Sequence, residues 1–322
     1  MDQEVINEVL CQMMPHLSSG QSALLKNVLE GVLLKNASDM EKSDQDLVEG
    51  FIAAKRLEGC SERTLSFYKN TIDKTLASIG KHIRAVTTED LRNYLSEYQN
   101  TNLVCKVTID NMRRNLSSFF AWLEDENYIL KSPVRRIHRI KAATAVKETY
   151  SDEELEQLRD GCTECRDLAM IDILASTGMR VGELVRLNCD DIDFNERECV
   201  VFGKGDKERI VYFDARTKIH LQNYLNTRED NNPALFVSLR EPYERLEIGG
   251  VESRLKKLGE ALNIDKVHPH KFRRTMATTA IDKGMPIEQV QKLLGHEKID
   301  TTLHYAMVKQ SNVKNAHRKY IG

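Results

Sequence analysis

At 322 residues, with 41% hydrophobic and 30% charged side chains, the chain can bury a core without covalent staples and exceeds the usual size of a single core. A net charge of −2 gives no global sign of a polyanion partner, no apolar run reaches bilayer-spanning length, and seven cysteines is an odd number for a disulfide framework. The start, MDQEVINEVL, is acidic and lacks a basic leader followed by an apolar stretch, so a cytoplasmic protein with reduced thiols and no membrane partner is expected.

Apolar Val5, Ile6, Val9, Leu10 and Met13, then Leu24, Leu25, Val28, Leu29 and Leu33, follow helical spacing on either side of HLSSGQS, which predicts two short helices in an N-terminal extension, residues 1–42. The polar stretch 36–46 reads as a hinge. Residues 43–130 are helical in pattern throughout, with caps expected at Ser43, Ser61 and Thr87 and helices over 44–57, 61–79, 88–98 and 106–126. These make a four-helix domain whose interior is supplied by Phe51, Ile52, Tyr68, Ile72, Leu91, Tyr94, Phe119, Phe120 and Leu123. Pro133 breaks the pattern, and residues 131–148 read as a basic linker, with Lys131, Arg135, Arg136, Arg139, Lys141 and His138 placed to meet phosphate or simply to face solvent.

The second domain, 149–322, opens at Ser151, where SDEE supplies a cap and an acidic first turn. A further helix is expected over 164–177, then two short β segments, 198–202 and 209–213, flanking GKGDK as a hairpin with Lys204 in its loop. The rest reads as helical: 217–227, 250–262, 269–283, 286–294 and a tail from Val308. The fold class is therefore mainly α with a small β-hairpin in the second domain, an α+β arrangement. Cys162 and Cys165 form the CxxC; Cys189 and Cys199 are a poor match for completing a zinc site, so two buried thiols on a helix is the simpler account.

Chemistry concentrates late in the chain. Arg180 follows Gly178 at a helix junction in ASTGMRVGELVRL, and its planar fork of donors suits the two non-bridging oxygens of a phosphate. His270 and Arg273, three apart in HPHKFRR, share one face of a helix opened by Pro269, whose N-terminus adds partial positive charge. In KLLGHEKIDTTLHYA, Gly295 ends a helix, His296 follows, and Tyr305 lies nine residues on. A tyrosine hydroxyl with an ordinary pKa of about 10 needs a base or a dense positive field to act as a nucleophile. Each residue alone also has a plain structural reading: a salt-bridged arginine, a capping histidine, a half-buried aromatic ring.

Taken in order, Arg180, Lys204, His270, Arg273, His296 and Tyr305 resemble the Arg, Lys, His-x-x-Arg, His, Tyr set of the tyrosine recombinases, and TGMRVGELVRL, GKGDKER, HPHKFRR and LLGHEKIDTTLHYA are similar to the strings of Xer-type and mobile-element integrases. The resemblance is strong from about Ser151 onward, looser over 43–130, and absent from residues 1–42. It implies a site-specific DNA recombinase that cleaves and rejoins strands through a 3′-phosphotyrosyl link at Tyr305, without ATP, metal or other cofactor.

It further implies that Arg180 and Arg273 hold the phosphate, Lys204 (or Lys207) protonates the leaving 5′-oxygen, His270 takes the tyrosine proton, and His296 hydrogen-bonds the phosphate. Glu183 would orient Arg180. Double-stranded DNA is the implied partner, gripped by a homotetramer on two sites that exchange the C-terminal tail, with room for an accessory protein. A type IB topoisomerase sharing the tyrosyl chemistry, and a DNA-binding regulator with a vestigial site, are the competing readings.

Overall fold

A computed structural model describes residues 2–39, 42–141, 148–203 and 208–303, and the chain divides into two units, Met1–Ala145 and Val146–Gly322. In the first, helices α1 (Asp2–Met13) and α2 (Ser19–Asp39) pack on each other across the expected break, a 3-10 turn at Met14–His16. Helix α2 runs to Asp39, so the first residues of the expected hinge are helical; no Gly or Pro between residues 32 and 39 stops it.

Helices α3 (Asp44–Leu57), α4 (Glu62–Ile79), α5 (Thr88–Asn102) and α6 (Lys106–Asp125) build the bundle. Ser43, Ser61 and Thr87 are its N-caps, each taking a backbone N–H three residues on, and Ser43 and Thr87 complete capping boxes with Asp46 and Asp90. Phe51 is fully buried at the centre, with the Tyr68 and Phe119 rings each 5.3 Å away at steep angles and Trp122 at 5.8 Å. Seven of the nine expected interior residues are buried, and Ile52 and Tyr68 pack against them half-exposed.

The segment expected as a linker belongs in its first part to this bundle. Pro133–Arg136 forms a 3-10 turn that buries Val134, Ile137 and Ile140 pack against the core, and buried Asp110 accepts from the Ile140 N–H at 3.0 Å. The apolar residues at 134, 137 and 140 are three apart, a spacing that keeps them on one side of a segment begun by a 3-10 turn and leaves the basic side chains outward. Residues 142–147 lie outside the described residues.

The second unit is organised by α8 (Cys165–Thr177), which is buried along most of its length. Around it lie α7 (Asp152–Asp160), the short α9 (Val181–Leu184), an antiparallel sheet of β1 (Ile192–Asp193), β2 (Glu198–Phe202) and β3 (Glu208–Tyr212), then α10 (Ala215–Asn226), α11 (Ile248–Leu262), α12 (Pro269–Asp282), α13 (Ile287–Leu294) and α14 (Ile299–Leu303). The hairpin pairs Val200 with Ile210, and its second strand sits one residue earlier than expected. Strand β1, helix α9 and helix α14 were not legible, being two to five residues long.

Two carboxylates of α8 go into the core with partners: Asp167 binds Arg166 and Arg254, and Asp172 binds Arg159 and His220. The CxxC cysteines straddle a junction instead of sharing a helix: Cys162 is half-buried beyond α7, and Cys165 is exposed at the start of α8. No group of three or more His, Cys, Asp or Glu fit to hold a metal occurs among the described residues, and no helix there is long and apolar enough to cross a membrane.

Helix α8 ends at Gly178, whose φ of +61° turns the chain towards Arg180, and a Cβ there would come within 2.3 Å of the Met276 side chain on α12. Both the left-handed backbone and the close approach favour glycine. Gly178→Ala is expected to lower stability by about 1–3 kcal/mol, read as a lower urea midpoint with an unchanged m-value.

Candidate active site

The last turn of α13 gathers three arginines from three other elements. Like any helix end it leaves carbonyls without intrahelical partners. Arg209 Nε, from β3, donates to Leu293 O at 3.0 Å; Arg273 Nη2, from α12, donates to Leu294 O at 2.6 Å; Arg180 Nη2, at the N-cap of α9, donates to Gly295 O at 3.2 Å. Gly295 closes α13 with φ of +65°, and a Cβ there would press on the Arg209 side chain at 3.0 Å. Packing of Val290 and Leu294 against Ala277 and Met276 holds α13 on α12, so the carbonyl row is fixed relative to Arg273.

One buried carboxylate organises two of these cations. Glu183, on α9, takes both terminal nitrogens of Arg209 at 2.7 and 2.6 Å, and also the Arg180 side chain at 2.9 Å and backbone N–H at 2.7 Å. Burial alone would raise its pKa, but the hydrogen bonds and charge of Arg209 and Arg180 outweigh that and hold it below the usual carboxylate range. The bidentate pair with Arg209 restores the positive charge that Glu183 would otherwise cancel at Arg180.

Arg273 is almost wholly buried, and it also donates from Nη1 to Gly178 O at 2.8 Å, tying the end of α8 to the end of α13. Its Nη2 lies 2.9 Å from His296 Nε2, and His296 Nδ1 lies 2.8 Å from Thr302 Oγ1. Burial, then the charges of Arg273, Arg180 and Arg209, push the His296 pKa down to about 4, so the ring is neutral at physiological pH. His270 stands exposed in the first turn of α12, one turn before Arg273.

Beside this cluster an open groove of about 1070 Å³ is lined by Arg180, Arg209 and His296, by Gly203 and Glu208, which bracket residues 204–207, and by Thr301. Of the residues expected from sequence, Arg180, Glu183, Arg273 and His296 are brought together. Lys204, Lys207 and Tyr305 lie outside the described residues, as does the tail.

Sequence reasoning missed Arg209 and Thr302. Arg209 has a signal: strand ERIVY puts Arg209 and Val211 on the inward face while Ile210 and Tyr212 stay 44% and 55% exposed, the reverse of a strand that merely covers a core.

Comparison with known proteins fits this arrangement. Residues 148–312 match the Phage integrase family, and residues 47–130 match its N-terminal SAM-like domain. The chain belongs to the phage integrase family of tyrosine recombinases. The recombinase is 32% identical over 289 residues to tyrosine recombinase XerC of Oceanobacillus iheyensis, covering 84% of this chain and 94% of that one. It is 31% identical over 288 residues to the XerC of Staphylococcus aureus, with 84% and 95% covered.

Its fold is that of the lambda integrase dimer bound to a COC′ core site, with a TM-score of 0.69 at 18% identity over 94% of this chain and 85% of that one. The Tn1549 transposon integrase in complex with transposon right end DNA gives 0.69 at 17% identity, covering 86% and 99%.

The pH dependence of the recombinase's stability follows from two depressed pKa values. Unfolded histidine takes a proton near pH 6.5 and folded His296 only near 4, so stability is expected to fall as pH drops through that window. Glu183 contributes stability above its unfolded pKa of about 4.3, lost as pH falls through its lower folded value. Denaturant titrations across pH should show the first slope flattened in His296→Gln and the second in Glu183→Gln. Arg209→Met, which takes the bidentate partner from a buried carboxylate and leaves it only Arg180, should cost about 3 kcal/mol at pH 7.

Proposed function

We propose that this recombinase carries out site-specific DNA recombination by tyrosyl strand transfer at the arginine cluster, with Tyr305 as nucleophile. The observation that carries the reading is the shared groove: Arg180 and His296 line it together with Gly203 and Glu208, which flank the segment that holds Lys204, and with Thr301, four residues before Tyr305.

Tyr305 Oη attacks the phosphorus of a phosphodiester, and the bond from phosphorus to the 5′-oxygen breaks. The tyrosine proton passes to His270, and Lys204, with Lys207 as its near alternative, protonates the departing 5′-oxygen. The 5′-hydroxyl of the partner strand then attacks the 3′-phosphotyrosyl bond, restoring the phosphodiester and freeing Tyr305. Bond energy is kept throughout, so no ATP is consumed.

Arg180 and Arg273 supply donors fixed before the substrate arrives, which favours the transition state as charge builds on the non-bridging oxygens. Arg273 and His296 are bonded to each other, so His296 acts first by holding that guanidinium and by lining the groove where the phosphate sits.

Double-stranded DNA is the substrate, and the working assembly is a homotetramer on two sites, with the C-terminal tail after Tyr305 exchanged between neighbours. Residues 43–130 serve as the core-binding domain and residues 149–322 as the catalytic domain, acting in the cytoplasm. The N-terminal helices, residues 1–42, are available to a partner or accessory protein.

The test is a covalent trap. Duplexes enriched from a random-sequence pool by binding to Tyr305→Phe would be nicked to make suicide substrates and incubated without metal or ATP. Wild-type chain should give an adduct stable in denaturing gels that maps to Tyr305, and Tyr305→Phe should give none. Arg273→Gln should slow adduct formation by about 10²–10³-fold, the usual cost of losing one such donor. Specific binding by the wild type with no adduct at any time would defeat the proposal.

A further inference from the structure

Arginine carries only donors, so the 2.9 Å contact from Arg273 Nη2 to His296 Nε2 requires a lone pair on that nitrogen. A neutral ring then carries its proton on Nδ1, and the partner of Nδ1 is the Thr302 hydroxyl at 2.8 Å. The His296 pKa of about 4 agrees with a ring held neutral between these two groups. Thr302 is fully buried, and it belongs to α14, which ends at Leu303, two residues before Tyr305.

On the opposite side of His296, the Gln291 side chain donates to the histidine carbonyl at 2.9 Å, so the backbone of this residue is anchored as well as its ring. The row Arg273, His296, Thr302 therefore runs from a phosphate-binding guanidinium to the segment bearing the nucleophile.

We infer that Thr302 is a positioning residue, whose hydroxyl accepts from the Nδ1–H that Arg273 imposes on His296, fixes the ring's rotation, and thereby ties α14, which leads to Tyr305, to Arg273. Without the hydroxyl, the Nδ1–H loses its acceptor, the ring loses the partner that sets its rotation against Arg273, and α14 loses its tie to the arginine cluster. A buried threonine chosen only to fill space would be replaced by valine without consequence, because the two side chains have nearly the same shape. The inference rests on the reading of Tyr305 as nucleophile for its catalytic consequence, but its structural half does not.

Two measurements separate those halves. In free, 15N-histidine-labelled full-length chain, His296 should show the Nδ1–H tautomer and remain neutral at pH 6. Its nitrogen signals should shift in Thr302→Val and return towards the wild type in Thr302→Ser.

With the enriched suicide duplex at saturation, Thr302→Val should form adduct roughly tenfold to a hundredfold more slowly while binding DNA within about twofold of wild type, and Thr302→Ser should recover to within about threefold. An Nε2–H tautomer in the wild type, unchanged His296 signals in Thr302→Val, or wild-type cleavage by Thr302→Val would each overturn the inference. A wild type that shows the expected tautomer but makes no adduct would fault the nucleophile, and the signal shift in Thr302→Val would still decide the contact.

Discussion

A helix that ends inside a protein must find donors for its last carbonyls, and in this recombinase that requirement builds the site. The three carbonyls from Leu293 to Gly295 each receive a guanidinium, from β3, α12 and α9 in turn. Helix C-termini attract cations both through these orphan groups and through the helix dipole. Three like charges would repel one another in a part-buried space, and the carbonyl row together with Glu183 offsets that repulsion. The contacts themselves are made to backbone atoms, so they depend on where α13 stops and on the buried Leu294 side chain that seats it, and not on the identity of Leu293.

That stopping point is Gly295, which combines a left-handed φ with close contact to Arg209. Any side chain there would have to displace the same arginine that neutralises Glu183. Helix termination, carboxylate pairing and placement of His296 are thus one coupled set, and single changes within it are not expected to add independently. The apolar contact of α13 with α12 through Val290, Leu294 and Ala277 supplies the rigidity on which the polar contacts are hung.

Much of this was legible in the sequence, for identifiable reasons. Ser43, Ser61, Thr87 and Ser151 are strong caps, and the long amphipathic helices behind them could be read to within a few residues. Helix α9 and helix α14 were not, because four or five residues carry no period. The basic run after Pro133 read as a linker because its charges dominate the composition, while the three apolar residues that dock it are spread among them. Arg180, Arg273 and His296 were recognised as a set, but nothing local in the sequence pairs residue 209 with 183, or residue 296 with 302. The first contact exists only once β3 lies beside α9, and the second only once α14 folds back on the residue that follows α13.

Charge shows the same difference between sum and arrangement. The chain as a whole is slightly acidic, at −2. Within the cluster, Arg180 and Arg209 share a single buried carboxylate, Arg273 is held by carbonyls, and His296 stays neutral, so three guanidinium groups and one carboxylate leave the cluster a net positive charge of two. Had His296 been protonated, it would have competed with Arg273 for space and added a third uncompensated charge at a cost in stability; its depressed pKa is the consequence of the arginines already present. A phosphodiester brings one negative charge and gains another as a fifth oxygen approaches phosphorus, so a preformed field of two positive charges matches the transition state better than the ground state. The carbonyls and Glu183 hold the arginines in place without a ligand, so an anion entering this site would find its reorganisation already met by folding.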